Sequence, residues 1–141
     1  MLMKILTFLT LLLSVLCFTG CSSEPEPFNV EDLKVLGTSS FSKAAWAEAE
    51  REERGAMLYD LLNTHNLIGQ PVEVVNELLG EQTSYYIHDS FPAYQVGPTN
   101  VHSVHGIGYI MAFITDPQTG RIVKYDVVPK LTKKAVSLSS L

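Results

Sequence analysis

The chain has 141 residues, with ten Lys and Arg against fifteen Asp and Glu and a formal net charge of −5. That balance leaves no concentrated basic face for a nucleic-acid partner, and two cysteines are too few for a disulfide framework. The length and a hydrophobic fraction of 46% suit one domain with one modest core.

Met1-Leu2-Met3-Lys4, followed by the apolar run from Ile5 to Phe18, reads as a secretory leader. It has one basic residue, an apolar segment too short to stay as a spanning helix, and small residues at its end. Phe18-Thr19-Gly20-Cys21 resembles the lipobox of bacterial lipoproteins. That resemblance implies that residues 1–20 are a signal peptide and that Cys21 is acylated after their removal, leaving about 120 residues. Cys17 would leave with the leader and Cys21 would carry lipid through its sulfur. The exported domain then has no thiol, which excludes thiol catalysis, cysteine zinc sites and disulfide stapling.

Residues 21–41 are expected to be a lipidated tether. Ser22-Ser23-Glu24-Pro25-Glu26-Pro27 is polar and proline-broken, whereas Phe28, Val30, Leu33, Val35 and Leu36 leave docking of its later part open. A helix is predicted from Lys43 to about Asn63, with Ser42 as N-cap and Gly55 as its weak point. Leu58, Leu61 and Leu62 share its core face, and Ala44, Ala47, Arg51 and Arg54 fall on the same stripe. Glu50 and Arg54 stand at a favourable i,i+4 spacing. The N-terminal half is charged nearly all round, so it is either a solvated extension or a partner surface made by Trp46, Arg51 and Arg54, residue types favoured at interface hot spots.

A second, short helix follows Pro71. Pro71 suits a first helical position, Gln70 and Glu73 have capping-box spacing, and Gly80 suits the residue that ends a helix. Beyond Gly80 the period changes to that of strands: Ser84 to His88, Ala93 to Val96, Tyr109 to Thr115 and Arg121 to Val128. Tyr109 to Thr115 is apolar on both faces, as an interior strand would be. Val123, Tyr125 and Val127 alternate with Lys124 and Asp126, giving one buried and one wet face. Asp116 to Gly120 is a loop of hairpin length. The predicted class is α+β, with two N-terminal helices on one face of a small antiparallel sheet in the order α-α-β-β-β-β over residues 42–129. Residues 130–141 are expected to form a flexible tail whose Lys130, Lys133 and Lys134 face solvent, with anionic headgroups as the alternative.

The run Leu67-Ile68-Gly69-Gln70-Pro71-Val72-Glu73-Val74 with Leu78-Leu79-Gly80, the aromatic strand pair, and Phe113-Ile114-Thr115-Asp116 with Gly120-Arg121-Ile122-Val123 together resemble the BamE (SmpA/OmlA) type of small lipoprotein. The resemblance runs from about Leu58 to Val128. It implies an α-α-β-β-β fold, also seen in β-lactamase inhibitor proteins, and a role as an accessory lipoprotein in assembling outer-membrane β-barrels. Glu81-Gln82 stands where that family often has proline, and Tyr85-Tyr86 where it tends to have Trp-x-Tyr. No contact residues carry over, because the matched positions are structural. In a host with two membranes, Ser22 after the acylated cysteine resembles the signal for outer-membrane delivery; with one membrane the protein would face the exterior.

No catalytic or cofactor constellation emerges. No nucleophile-elbow pattern surrounds a serine, and Gly106-Ile107-Gly108 lacks the strand and helix context of a nucleotide site. His102 and His105 are spaced H-x-x-H, but in a loop from Gly97 to Gly108 rich in Pro, Gly, Asn and Ser, where imidazoles are not held together for a metal. That loop is a candidate binding element. The expectation is a non-catalytic, membrane-anchored envelope protein without cofactors that contacts other envelope proteins. The alternative is a ligand-binding or inhibitory module using the sheet and the 97–108 loop.

Overall fold

The computed structural model describes residues 26–132. The leader, Cys21 and the end of the tail lie outside the described residues.

The folded unit begins well before residue 42. Val30–Leu36 forms a 3-10 helix. Asn29 caps it, its side-chain oxygen accepting the Glu31 N–H at 3.0 Å, and Glu31 and Asp32 suit the positive end of its dipole. At three residues per turn, Val30, Leu33 and Leu36 fall on one stripe. Leu33 is fully buried, and Phe28, Val30, Leu36 and Phe41 pack against the same core. Most of the segment expected to be tether is therefore part of the domain.

The single helix expected from Lys43 is two. Helix α1 spans Lys43–Glu48 and α2 spans Arg51–Thr64. Ser42 caps α1 as predicted, its hydroxyl accepting the Ala45 N–H at 3.0 Å. Ala49 and Glu50 are extended, with ψ of 143° and 168°. Glu50 starts α2 in a capping box with Glu53, donating its N–H to the Glu53 carboxylate at 2.9 Å. Periodicity is blind to this restart, because both halves favour helix. Its consequence is to turn Trp46 inward, to 1% exposure, while Ala44 and Ala47 face solvent. In α2, Met57, Leu58, Leu61 and Leu62 are buried.

Helix α3 spans Glu73–Leu79 and buries Val75 and Leu79. Gly80 ends it at φ 74°, donating its N–H to Asn76 at 2.9 Å, as the sequence predicts. The Gln70/Glu73 capping box does not form. Gln70 instead accepts the Ile122 N–H through its backbone carbonyl at 2.9 Å, tying the approach to α3 to the sheet.

Strands β1 (Ala93–Val96), β4 (Tyr109–Thr115) and β5 (Ile122–Val128) form an antiparallel sheet in the order β1-β4-β5; β2 (His102–Ser103) and β3 (Gly106–Ile107) make a separate small hairpin. The α+β class holds, with three strands in the main sheet where four were expected. Ser84 to His88 is reduced to one bridge, Ser84 to Ala93. Ile87 takes φ 56°, a left-handed conformation that a β-branched residue rarely adopts and that a strand cannot continue through. The centre of the sheet is β4, buried on both faces as predicted. A register shift at Ile114/Thr115 sets Ile122 opposite Thr115. The bulge buries Ile122 and leaves Val123 53% exposed, against the simple alternation; Tyr125 and Val127 remain inside.

Two clusters result. The inner one joins Leu33, Trp46, Leu58, Leu61, Val75 and Leu79 to Tyr94, Met111, Phe113 and Tyr125. A chain of edge-to-face rings runs through it: Trp46 to Tyr94 at 6.0 Å, Tyr94 to Phe113 at 6.1 Å, Phe113 to Tyr125 at 5.8 Å and Tyr125 to Phe28 at 6.2 Å. Each such pair adds about 0.5–1.5 kcal/mol beyond area burial. The outer cluster is Tyr86, Ala93, Ile110 and Ala112, flanked by Phe91, Ile114 and Val128, with no helical residue in it. Helices thus cover one face of the sheet. Among the described residues no helix is long and apolar enough to cross a membrane.

Candidate functional site

The segment from Gly97 to Gly108 is a clamped projection. Both its ends are glycines at positive φ, 77° and 80°. At its base the Gly97 N–H donates to the Arg51 carbonyl at 2.7 Å, and the Gly108 N–H donates to the Val101 carbonyl at 2.7 Å. The Arg51 guanidinium donates to the Ile107 carbonyl. Close packing explains both glycines. A Cβ at Gly97 would lie 2.9 Å from the Tyr109 ring, and one at Gly108 would run into the Arg51 guanidinium. Helix α2 comes equally close, since a Cβ at Gly55 would lie 2.8 Å from the Gly97 nitrogen.

Beyond this base, β2 and β3 pair His102 with Ile107 and Ser103 with Gly106, so Val104 and His105 form a two-residue turn. Gly106 supplies φ 104°, and the His105 N–H donates to the Ser103 hydroxyl at 3.0 Å. The tip is apolar: Val104 is 98% exposed and Ile107 46%. His102 and His105 are exposed on either side of Val104. The sequence marks the segment as a candidate element but misses its hairpin. The one available signal was Gly106 directly after a two-residue turn, between the apolar Val101 and Ile107.

The expected partner surface is not assembled as Trp46, Arg51 and Arg54. Trp46 belongs to the core, its indole N–H donating to the Leu79 carbonyl at 3.0 Å. Arg54 lies over the Trp46 ring, 5.2 Å from its centroid, and its Nε donates to the Trp46 carbonyl at 3.1 Å. It therefore fixes the α1–α2 joint and does not pair with Glu50. Arg51 clamps the hairpin, and its Nε is buried without a partner among the described residues. Cys21 lies outside the described residues.

Titratable groups are structural in placement. Burial, then the hydrogen bond to the Asp126 carboxylate at 2.5 Å, pushes the Tyr86 hydroxyl up to about 12. Burial pushes Tyr94 up to about 12 while its hydroxyl donates to the Gly80 carbonyl at 2.8 Å. Tyr109 is also raised by burial, and its hydroxyl has no partner among the described residues. At the surface, the hydrogen bond from Lys34 and then that from Tyr59 hold the Glu31 carboxyl below its usual range.

Ser90 Oγ lies 2.9 Å from His88 Nδ1, a serine–histidine contact, but the Ser90 N–H also reaches that nitrogen at 3.2 Å. Two bonds from one residue to its neighbour two positions back form a turn cap, and among the described residues no third group hydrogen-bonds the imidazole. Among the described residues no group of three His, Cys, Asp or Glu is placed to hold a metal ion. What the arrangement offers is a rigidly based, apolar-tipped contact element. In comparisons with protein-family models, curated proteins and solved structures, the chain matches none.

Proposed function

We propose that the protein is a non-catalytic, lipid-anchored cell-envelope protein that serves as a scaffold or accessory subunit for other envelope proteins. The observation that carries this reading is the segment Phe18-Thr19-Gly20-Cys21 at the end of a leader-like run. The placement of Phe28 against Tyr125 sharpens it. Between Cys21 and Phe28 the chain reaches at most about 25 Å, so an acyl group on Cys21 would hold the domain close to the bilayer. Several acyl chains together make such an anchor durable. Helices followed by a three-stranded antiparallel sheet is the element order that BamE-like lipoproteins are expected to have, which supports an accessory role of that kind. With two membranes the site of action would be the periplasmic face of the outer membrane; with one, the outer face of the cytoplasmic membrane.

Contact with the partner is assigned to the hairpin tip, where Val104 stands fully in solvent on a clamped base. Pre-organisation lowers the ordering cost of binding. A ligand-binding or inhibitory module is the second reading, favoured by the same hairpin.

Replacing Cys21 with Ser should block processing and abolish acylation, read as loss of lipid labelling and accumulation of the uncleaved precursor. Unchanged cleavage and a soluble product in both versions would end the anchor reading. Cross-linking in native membranes should recover envelope proteins with the parent and lose them with Val104→Asp, while thermal stability moves by less than about 0.5 kcal/mol. Capture of a soluble ligand and of no envelope protein would select the second reading.

A further inference from the structure

As the last strand in the order β1-β4-β5, β5 is an edge. Its first residue is covered, because Ile122 exchanges two backbone hydrogen bonds with Gly69 and Gln70, at 2.7 and 2.9 Å. From Val123 onward that cover stops. Among the described residues, no backbone group of Val123–Val128 bonds to anything but β4. Alternate N–H and C=O groups therefore face outward along five or six residues. A cleft of ≈ 250 Å³ opens here, lined by Phe28, Asn29 and Asp32 on one side and Lys124, Asp126 and Val127 on the other. Such an edge is a template for another strand.

The charges on the strand identify the strand that fits. Lys124 and Asp126 pair with Ile114 and Ala112 of β4 and so lie on the outer face, and neither forms an ion pair among the described residues. In an antiparallel two-fold pairing of β5 with itself, every register centred on a residue keeps inner faces together with inner faces, and the three centres in the middle of the open stretch are Lys124, Tyr125 and Asp126. Centred on Lys124 or on Asp126, the pairing sets two lysines or two aspartates directly opposite, which is repulsive. Centred on Tyr125, it sets Lys124 opposite Asp126 of the second copy, twice, with Cβ atoms about 4.5–5.5 Å apart. Tyr125 is also the midpoint of Val123 to Val127, the stretch left between the covered Ile122 and the end of the strand. A lysine on an edge ordinarily discourages pairing; with an aspartate two residues on, it selects a partner carrying the same pattern.

We propose that β5 is a homodimerisation edge, taking a second copy of this chain in an antiparallel register centred on Tyr125, with Lys124 of each copy against Asp126 of the other. The interface is isologous and joins two three-stranded sheets into one of six strands. It does not depend on the lipid anchor, which is read separately by fractionation.

Sedimentation equilibrium of the exported protein, in density-matched detergent, should show a concentration-dependent monomer–dimer equilibrium. Lys124→Asp faces Asp126 with a like charge and should weaken association at least tenfold, with an unchanged circular dichroism melt. Asp126→Lys should do the same. Mixing these two variants makes every cross-strand pair opposite in charge again and should restore dimers between them. A parent that stays monomeric throughout the range would overturn the proposal, as would a Lys124→Asp variant that dimerises like the parent. Where Asp126→Lys fails to fold, because Asp126 also holds Tyr86, Lys124→Asp with Asp126→Asn decides: this pair removes the repulsion and should recover dimers relative to Lys124→Asp alone.

Discussion

Strand β4 carries three apolar residues on each face, yet the two faces are protected by different means. Tyr109, Met111 and Phe113 lie beneath a cluster that draws on all three helices and the 3-10 helix. Ile110, Ala112 and Ile114 lie beneath a turn, with Tyr86 and Phe91 as the main cover and the Tyr86–Asp126 hydrogen bond as its fastening. Large aromatic residues interlock on the first face, whereas Ala93 and Ala112 on the second leave room for Tyr86 to pack beside Ile110. The inner face should therefore dominate stability, and the outer face should respond to alkaline pH through Tyr86 alone.

The largest test is Trp46→Ala, which empties the start of the inner aromatic chain and strands the Leu79 carbonyl. A loss of about 3–5 kcal/mol is expected. Urea unfolding should be followed by far-UV circular dichroism, because Trp46 is the only tryptophan. A loss below about 1 kcal/mol would return Trp46 to the surface.

Next comes Leu33→Ala, at about 2–5 kcal/mol. A tether residue would cost nothing, so this variant decides by the same measurement whether the 3-10 helix belongs to the inner layer.

Gly55→Ala carries an opposite sign to helix propensity. Alanine is favoured over glycine within a helix by about 1 kcal/mol, but here its Cβ would press on the Gly97 backbone at 2.8 and 3.0 Å. Overpacking should turn the gain into a loss of about 1–3 kcal/mol, read as a lower midpoint of thermal unfolding.

Smallest is Tyr86→Phe, at about 1–2 kcal/mol near neutral pH, and it tests the outer face alone. An unfolded tyrosine ionises near 10, whereas folding holds the Tyr86 proton to about 12. Its contribution is complete below pH 10 and is lost as pH rises from about 10 to about 12. The variant should lose less stability across that window than the parent does. Tyr94, also raised to about 12, and Tyr109 and Tyr125, both raised by burial, supply the alkaline loss that remains.

What the sequence made legible was whatever rests on local pattern. Leu58, Leu61 and Leu62, the short helix before Gly80 with its terminal glycine, the two-faced Tyr109 to Thr115 strand and the turn at Asp116 to Gly120 all declare themselves within a few residues, although that helix starts at Glu73 and Pro71 instead bridges to Arg121. The misses depend on distant partners. Trp46 sits in a charged stretch, and only the Leu79 carbonyl and the Tyr94 ring explain its burial. Val30, Leu33 and Leu36 follow a three-residue period too short to stand out, and their place is set by helix α2, against which the 3-10 helix packs. Ile122 and Val123 exchange roles at a bulge whose cause is register with β4. Ser84 to His88 has strand composition, but Tyr86 is drawn across the sheet to Asp126. Of the candidate site, the 97–108 segment was visible, but its clamp was not, because Arg51 lies far upstream.

The contact between Phe28 and Tyr125 also bears on the order of events in biogenesis. The first described aromatic residue packs on one of the last, and the final strand supplies an edge of the sheet, so the core cannot close on a partly emerged chain. Contacts of such long sequence separation slow folding. A chain of this kind stays open while it is being synthesised and becomes compact only when nearly all of it is available.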